Sequence, residues 1–146
     1  MALYHYRFES TWSVAAATSD VFAAVVDLAG YPTWWPDVRS VTRIDDDTAE
    51  LVCRATLPYT LRFTMRRAEQ DEPSGRMRVT LSGDLVGTLS GAVTPNGAGS
   101  RLVIVEQVAV ATPLLRALTP LARPLLRANH AAMMRRGQRG LRNFLG

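Results

Sequence analysis

Two polar residues interrupt apolar patterns in this chain, and side by side they could move a proton. Glu106 lies in "SRLVIVEQVAVA" (100–111), where Leu102, Ile104, Val108 and Val110 share its face by the two-residue alternation of a strand. His130 lies in "NHAAMMRRGQRGLRNFL". At about 100° per residue, Leu126 just before that segment and Met133, Gly137, Gly140, Leu141 and Phe144 within it form one arc, with His130 near its middle. A carboxylate on an apolar face needs a partner or a water, because an unpaired buried charge is expensive. An imidazole on a helix packed across the strand can be that partner. A His–Glu pair lining a pocket can act as general acid and base on an acidic carbon. The same pattern also fits a satisfied core histidine beside a glutamate at the rim.

The stretch "YPTWWPDV" (31–38) sets Trp34 and Trp35 side by side between Pro32 and Pro36. Large rigid aromatics in so short a segment either wall a ligand site or plug a core beneath a loop. No Ser/His/Asp order, phosphate loop or dinucleotide fingerprint is present. No Cys/His set has metal-ligand spacing, so neither a metal nor a cofactor is expected. The lone Cys53 reads as a small buried strand residue.

The elements that must position these residues are legible from their periods. An opening strand alternates Tyr4, Tyr6, Phe8, Trp12 and Val14 with polar neighbours. "ATSDVFAAVVDLAG" predicts a short helix with Thr18 or Ser19 as cap, Asp20 on the dipole, an apolar stripe of Val21, Phe22, Val25 and Val26, and Gly30 as stop. Pro32 begins a second short helix that Pro36 ends. Six strands follow over 37–44, 49–57, 60–70, 76–83, 85–94 and 100–111, joined by turn signals such as Asp45-Asp46-Asp47, Pro58-Tyr59 and Glu72-Pro73-Ser74-Gly75. Links this tight make an antiparallel meander. Thr112-Pro113 and Thr119-Pro120 look like interrupted helix starts, and a long helix runs from about 124 to 144. Arg127, Arg135, Arg139 and Arg142 take its solvated side, while Gly137 and Gly140 permit close approach to the sheet.

At 146 residues and 47% hydrophobic, the chain fits one domain spanning 1–146 with a single core. No apolar run is long enough for a transmembrane segment, and the N-terminus lacks a signal-peptide pattern, so a cytoplasmic location is expected. The net charge of +4 is unevenly spread: residues 107–146 carry seven arginines and no acid. All 17 basic residues are arginine. An anionic membrane or nucleic-acid surface is the reading this suggests, but the arginines spread around the helix and no stacking aromatics lie among them, so no nucleic-acid partner is expected.

Strand, two short helices, six-strand meander and long C-terminal helix, with "DVFAAVVDLAGYPTWWPDV" near the front and "NHAAMMRRGQRGLRNFL" near the end, resemble the START/Bet v 1-like (SRPBCC) superfamily, in its polyketide cyclase/dehydrase branch. The resemblance implies an α+β helix-grip fold: a curved seven-stranded antiparallel sheet wrapped around the C-terminal helix, enclosing a cavity for a hydrophobic small molecule. The short helices would lie at its mouth, with Trp34 and Trp35 as wall or lid and Leu126 and Met133 among the ligand contacts. Aromatase/cyclases of this group carry a Ser-x-Arg element on a middle strand, and the matching register here is Thr64 and Arg66. A guanidinium suits oxyanion steering, being permanently charged and forked, although Arg62, Arg66 and Arg67 also fit outward strand positions. The tyrosine those enzymes use near the second short helix falls at Val38. The resemblance thus implies either a cofactor-independent polyketide cyclase or aromatase with Arg66, Glu106 and His130 as catalytic candidates, or a non-catalytic carrier or sensor of a lipid, quinone or other apolar molecule. A monomer or homodimer is expected.

Overall fold

Alternation of apolar and polar residues along each strand gives a sheet with one face turned inward, and seven such strands pair antiparallel in the order β1-β7-β6-β5-β4-β3-β2. The computed structural model describes residues 5–57, 59–111 and 123–146. Tyr4, Pro58, Thr112-Pro113 and Thr119-Pro120 lie outside the described residues. In chain order the elements are β1 (His5–Val14), α1 (Thr18–Val26), a 3-10 turn (Leu28–Gly30), α2 (Tyr31–Trp34), β2 (Val38–Asp45), β3 (Thr48–Cys53), β4 (Leu61–Asp71), β5 (Arg76–Gly83), β6 (Leu85–Asn96), β7 (Gly99–Val110) and α3 (Arg123–Leu145). Register irregularities at Val38/Ser40, Arg43/Asp45 and Arg67/Glu69 mark bulges, which bend strands and add curvature. The concave face receives α3. This is the helix-grip arrangement.

The N-terminal helix differs from expectation at both ends. Neither Thr18 nor Ser19 caps it: Ala17 holds the cap position without a side-chain hydrogen bond, and α1 ends at Val26. Gly30 is therefore not a stop. The 3-10 turn leads straight from α1 into α2, and Gly30 has an ordinary negative φ. Tyr31 is anchored there by an Oη–H donated to the Val25 carbonyl. Burial, and then the neighbouring Asp27 carboxylate, raise its phenol well above the usual tyrosine range.

Helix α3 buries Leu126, Asn129, Met134, Gly137 and Leu141. The predicted arc holds in part: Leu126, Gly137 and Leu141 are buried and His130, Met133 and Gly140 half-buried, but Asn129 and Met134 are buried from outside it and at the end Phe144 is 54% exposed. There Leu141 and Leu145 carry the buried stripe instead. A straight helix on a curved, twisted sheet meets its support along a line that drifts around the helix, so a fixed arc loses the last turn.

The glycines of α3 approach the aromatic segment and not mainly the sheet. A Cβ on Gly137 would stand 2.6 Å from Trp35 Cε2 and 2.7 Å from Trp12 Cη2; one on Gly140 would stand 1.7 Å from the Trp34 carbonyl oxygen. Trp34 and Trp35 stack with centroids 5.6 Å apart, and Trp12 meets Trp35 edge-on at 5.4 Å. Trp35 Nε1 donates to the Met133 carbonyl at 3.1 Å. A few residues on, Asp37, 2% exposed, receives Arg136 Nε at 2.9 Å and Nη2 at 2.6 Å. Its own carbonyl accepts the Arg54 N–H at 2.9 Å. Segment 31–38 is thus fixed to α3 by ring packing, one indole hydrogen bond and a two-pronged ion pair.

Two stability predictions follow from this joint. In a mid-helix position Gly→Ala normally gains about 1 kcal/mol of helix propensity, yet Gly140→Ala should lose about 1–3 kcal/mol in urea unfolding, since the clash is with backbone. Arg136→Met leaves the Asp37 carboxylate buried and unpaired. It should cost about 3 kcal/mol, the low end for a broken buried pair, because the Arg136 side chain is 32% exposed.

Candidate functional site

Between the inward sheet face and α3 lies a cavity of about 370 Å³. Its wall is mostly apolar: Tyr31, Trp34 and Trp35 from the short-helix segment, and Trp12, Leu51, Phe63, Met65, Leu81 and Leu102 from the sheet. The lining turns polar at the β2–β3 hairpin and the end of β4, with Arg43, Asp45, Asp46, Asp47, Arg67 and Glu69. All but Glu69 are joined by hydrogen bonds or ion pairs. Arg67 Nη2 donates to the Asp46 carbonyl at 2.6 Å and its Nε faces Asp47 Oδ1 at 3.1 Å. Arg43 pairs with Asp46. The Asp47 backbone N–H, donated to Asp45 Oδ1 at 2.8 Å, is the first cause holding the Asp45 carboxyl below the usual range.

A second chamber of about 80 Å³ adjoins the first, and Cys53, Leu61, Leu85, Glu106 and Met133 line both. Glu106 comes from the inward register of β7, directly opposite Phe8 of β1. Its Oε1 lies 3.1 Å from His130 Nε2, and each side chain is 12% exposed. The imidazole stacks on the Phe8 ring, with centroids 3.7 Å apart and planes 11° from parallel. Strand register sets the carboxylate, helical phase sets the imidazole, and an aromatic face fixes the ring's orientation. On the far wall of this chamber, Asn129 Nδ2 donates to Tyr59 Oη at 3.1 Å while its Oδ1 accepts the Leu57 N–H at 2.9 Å. Burial is the main influence raising the Tyr59 phenol.

Of the residues singled out in the sequence, Glu106 and His130 come together, Glu106 lining both chambers and His130 the smaller one. Trp34 and Trp35 line the larger cavity, Leu126 the smaller, and Met133 both. Trp34 and Trp35 are also core residues at the joint with α3, so wall and plug are one arrangement. Thr64 and Arg66 line neither chamber. Leu61, Phe63 and Met65 take the inward face of β4, which turns Thr64 and Arg66 to the convex face. There Arg66 is exposed and donates from Nη1 to Thr48 Oγ1 at 3.2 Å. The register carried over from aromatase/cyclases is therefore corrected: Arg66 faces solvent, and the alternation of Leu61, Phe63 and Met65 already contained that answer. The arginine on the inward side is Arg67, at the polar rim. Tyr6, Phe8, Tyr59 and Asn129 were not singled out as site residues. For Tyr6 and Phe8 the signal was their shared face on β1; nothing local marks Tyr59 or Asn129.

A family model described as "Polyketide cyclase / dehydrase and lipid transport" matches residues 5–143. The chain belongs to that family. No curated protein sequence matches it. Among solved structures, the Zhui aromatase/cyclase from Streptomyces sp. R1128 is 20% identical at TM-score 0.76, covering 97% of this chain and 93% of that one. A START superfamily protein from Mycobacterium smegmatis is 18% identical at TM-score 0.75, covering 95% and 96%. The di-domain ARO/CYC StfQ from the steffimycin biosynthetic pathway is 16% identical at TM-score 0.67, covering 94% of this chain and 50% of that one. At these identities the likeness is one of fold. Family membership and the enclosed apolar cavity make this a hydrophobic-ligand-binding SRPBCC protein.

Within this family architecture the chemical options of the site are narrow. Among the described residues no group of three or more His, Cys, Asp or Glu could hold a metal ion. Cys53 is buried on both chambers' wall, and burial, with Asp37 and Glu106 nearby, pushes its thiol from 9.0 up to about 12. It is held as a thiol and serves as lining, not as a nucleophile. At about pH 8 its alkylation by iodoacetamide should be roughly a thousandfold slower in the folded protein than in denaturing urea, in line with the lost thiolate. Mass-spectrometric labelling rates check this.

Proposed function

We propose that the chain is a single-domain, cofactor-independent cyclase or aromatase-like protein. It holds an apolar, carbonyl-bearing molecule in the larger cavity and moves a proton on it with the Glu106–His130 pair. The observation that carries this reading is the 3.1 Å contact between Oε1 of Glu106, which lines both chambers, and Nε2 of His130, which lines the smaller one. A carboxylate and an imidazole sharing one proton can accept another from a carbon flanked by two carbonyls. The resulting enolate carbon then attacks a second carbonyl, a carbon–carbon bond forms, and the alkoxide so produced takes the proton back from the pair. Stacking on Phe8 keeps the ring from turning away during the two transfers. Arg66 has no part in this scheme. Trp34 and Trp35 supply apolar contact along the substrate body.

A second reading is a carrier or sensor of an apolar molecule, without turnover. The outward Arg66 and the Val38 at the family tyrosine position favour it, since both remove groups that the aromatase/cyclase chemistry is thought to use. Among the described residues no helix is long and apolar enough to cross a membrane.

Native mass spectrometry of the protein purified from its own host, followed by extraction of the retained molecule, separates the two. An enzyme should retain a polyketide fragment and convert its linear precursor. Glu106→Gln and His130→Phe should then lose product formation by about 10²–10⁴-fold while still retaining the molecule. A retained lipid or quinone, with binding intact in both variants and no product from the wild type, leaves the carrier. In both cases ligand release should change tryptophan emission, and Trp35→Ala should weaken binding by about 1–3 kcal/mol from lost apolar contact.

A further inference from the structure

The Glu106–His130 pair is not the whole polar complement of the smaller chamber. Tyr6, on the inward face of β1, is only 4% exposed, lines that chamber, and its Oη has no hydrogen-bond partner among the described residues. Its ring is not loosely held. It stacks beside Phe8 with centroids 5.6 Å apart and planes 9° from parallel, and the Arg123 guanidinium carbon lies 4.3 Å from its centroid. A buried hydroxyl without a partner costs about 1–3 kcal/mol, and a phenylalanine would fill the same space without that cost. The neighbouring polar groups are already engaged: Asn129 spans the Leu57 N–H and Tyr59 Oη, and His130 faces Glu106. Among the described residues Tyr6 is thus a fixed donor without an acceptor, in the chamber that Glu106 and His130 also line.

We propose that the smaller chamber is an oxygen-binding subsite, in which Tyr6 Oη donates a hydrogen bond to a carbonyl oxygen of an apolar ligand whose body fills the larger cavity. This rests on the cavity reading above. It also narrows the ligand class to apolar molecules that carry a neutral carbonyl, of which a ketone is the simplest. A hydrocarbon offers Tyr6 no acceptor, and a carboxylate would bring an ionic group into a buried chamber beside the Glu106 carboxyl. The chemistry is consistent. When the Glu106–His130 pair takes a proton from the carbon next to that carbonyl, the C–H electron pair becomes a C=C bond and the carbonyl π pair moves onto oxygen. Tyr6 is the neutral donor placed to stabilise that oxygen, and the step consumes no oxidant or co-reactant.

Calorimetry with methyl 2-naphthyl ketone and its oxygen-free counterpart 2-isopropylnaphthalene tests this on the full chain and on Tyr6→Phe. The ketone's Kd should rise about tenfold in Tyr6→Phe while that of the hydrocarbon stays unchanged. The infrared C=O stretch of the bound ketone should move to higher frequency as its hydrogen bond is lost. Thermal unfolding should be unchanged or raised, because the substitution removes an unpartnered hydroxyl. Equal changes for both probes, no change for either, or a carbonyl band that does not move would each overturn the subsite while leaving the cavity reading in place. If neither probe binds the wild-type protein, the cavity reading fails and the subsite with it.

Discussion

The close seat of Trp34 and Trp35 against α3 governs the rest of the structure. Two glycines one turn apart remove the side chains that would hold the helix away, and the indoles and backbone of segment 31–38 occupy that space. Any larger residue at Gly140 would meet the Trp34 carbonyl, so the spacing between the short helices and α3 is fixed by backbone contact and not by adjustable side chains. The Asp37–Arg136 pair acts alongside it. It is costly to bury, but it is two-pronged and so permits one relative position of the segment and the helix.

The cavity is a consequence of that constraint. With α3 pinned at its C-terminal half to the aromatic segment, and the sheet curved by bulges, the helix cannot settle onto the whole concave face. The space left is walled by aromatics, methionines and aliphatic strand residues, an environment in which a polar group is conspicuous. Glu106, His130 and Tyr6 occur where β1, β7 and α3 converge, on the wall of the smaller chamber. Low local dielectric strengthens what contacts exist there and penalises what is left unpaired. For this reason the 3.1 Å Glu106–His130 contact and the Tyr6 hydroxyl, without a partner among the described residues, carry chemical meaning that surface pairs such as Arg7–Glu9 do not.

Strands and their faces were written locally, because a period of two needs only neighbours to be read. The six predicted strands and the opening strand are all present, with ends shifted by a few residues. The inward position of Glu106 and the sheet-facing phase of His130 follow from the same local rule. Arg66 is instructive for the opposite reason: the register inferred from related enzymes placed it inward, while the plain alternation of Leu61, Phe63 and Met65 turns it outward. The helix caps at Thr18 and Ser19 failed because a cap is a hydrogen bond that depends on backbone angles before the helix, which residue type alone does not specify.

What the sequence by itself determined was periodicity, and therefore elements, faces and the order in which strands meet. Only the tertiary structure decided which faces touch. Gly137 and Gly140 could be read as small, but that they receive Trp35 and Trp34 depends on contacts across about a hundred residues of chain. Arg136 stands beside Arg135 in the sequence, and nothing local distinguishes the partner of a buried Asp37 from an ordinary solvated arginine. Tyr59 and Asn129 meet only because a loop and a helix close over the same chamber. Side-chain direction is a local property of a repeating backbone, whereas partnership is a property of two distant segments brought within a few ångströms, and no period along one chain encodes it.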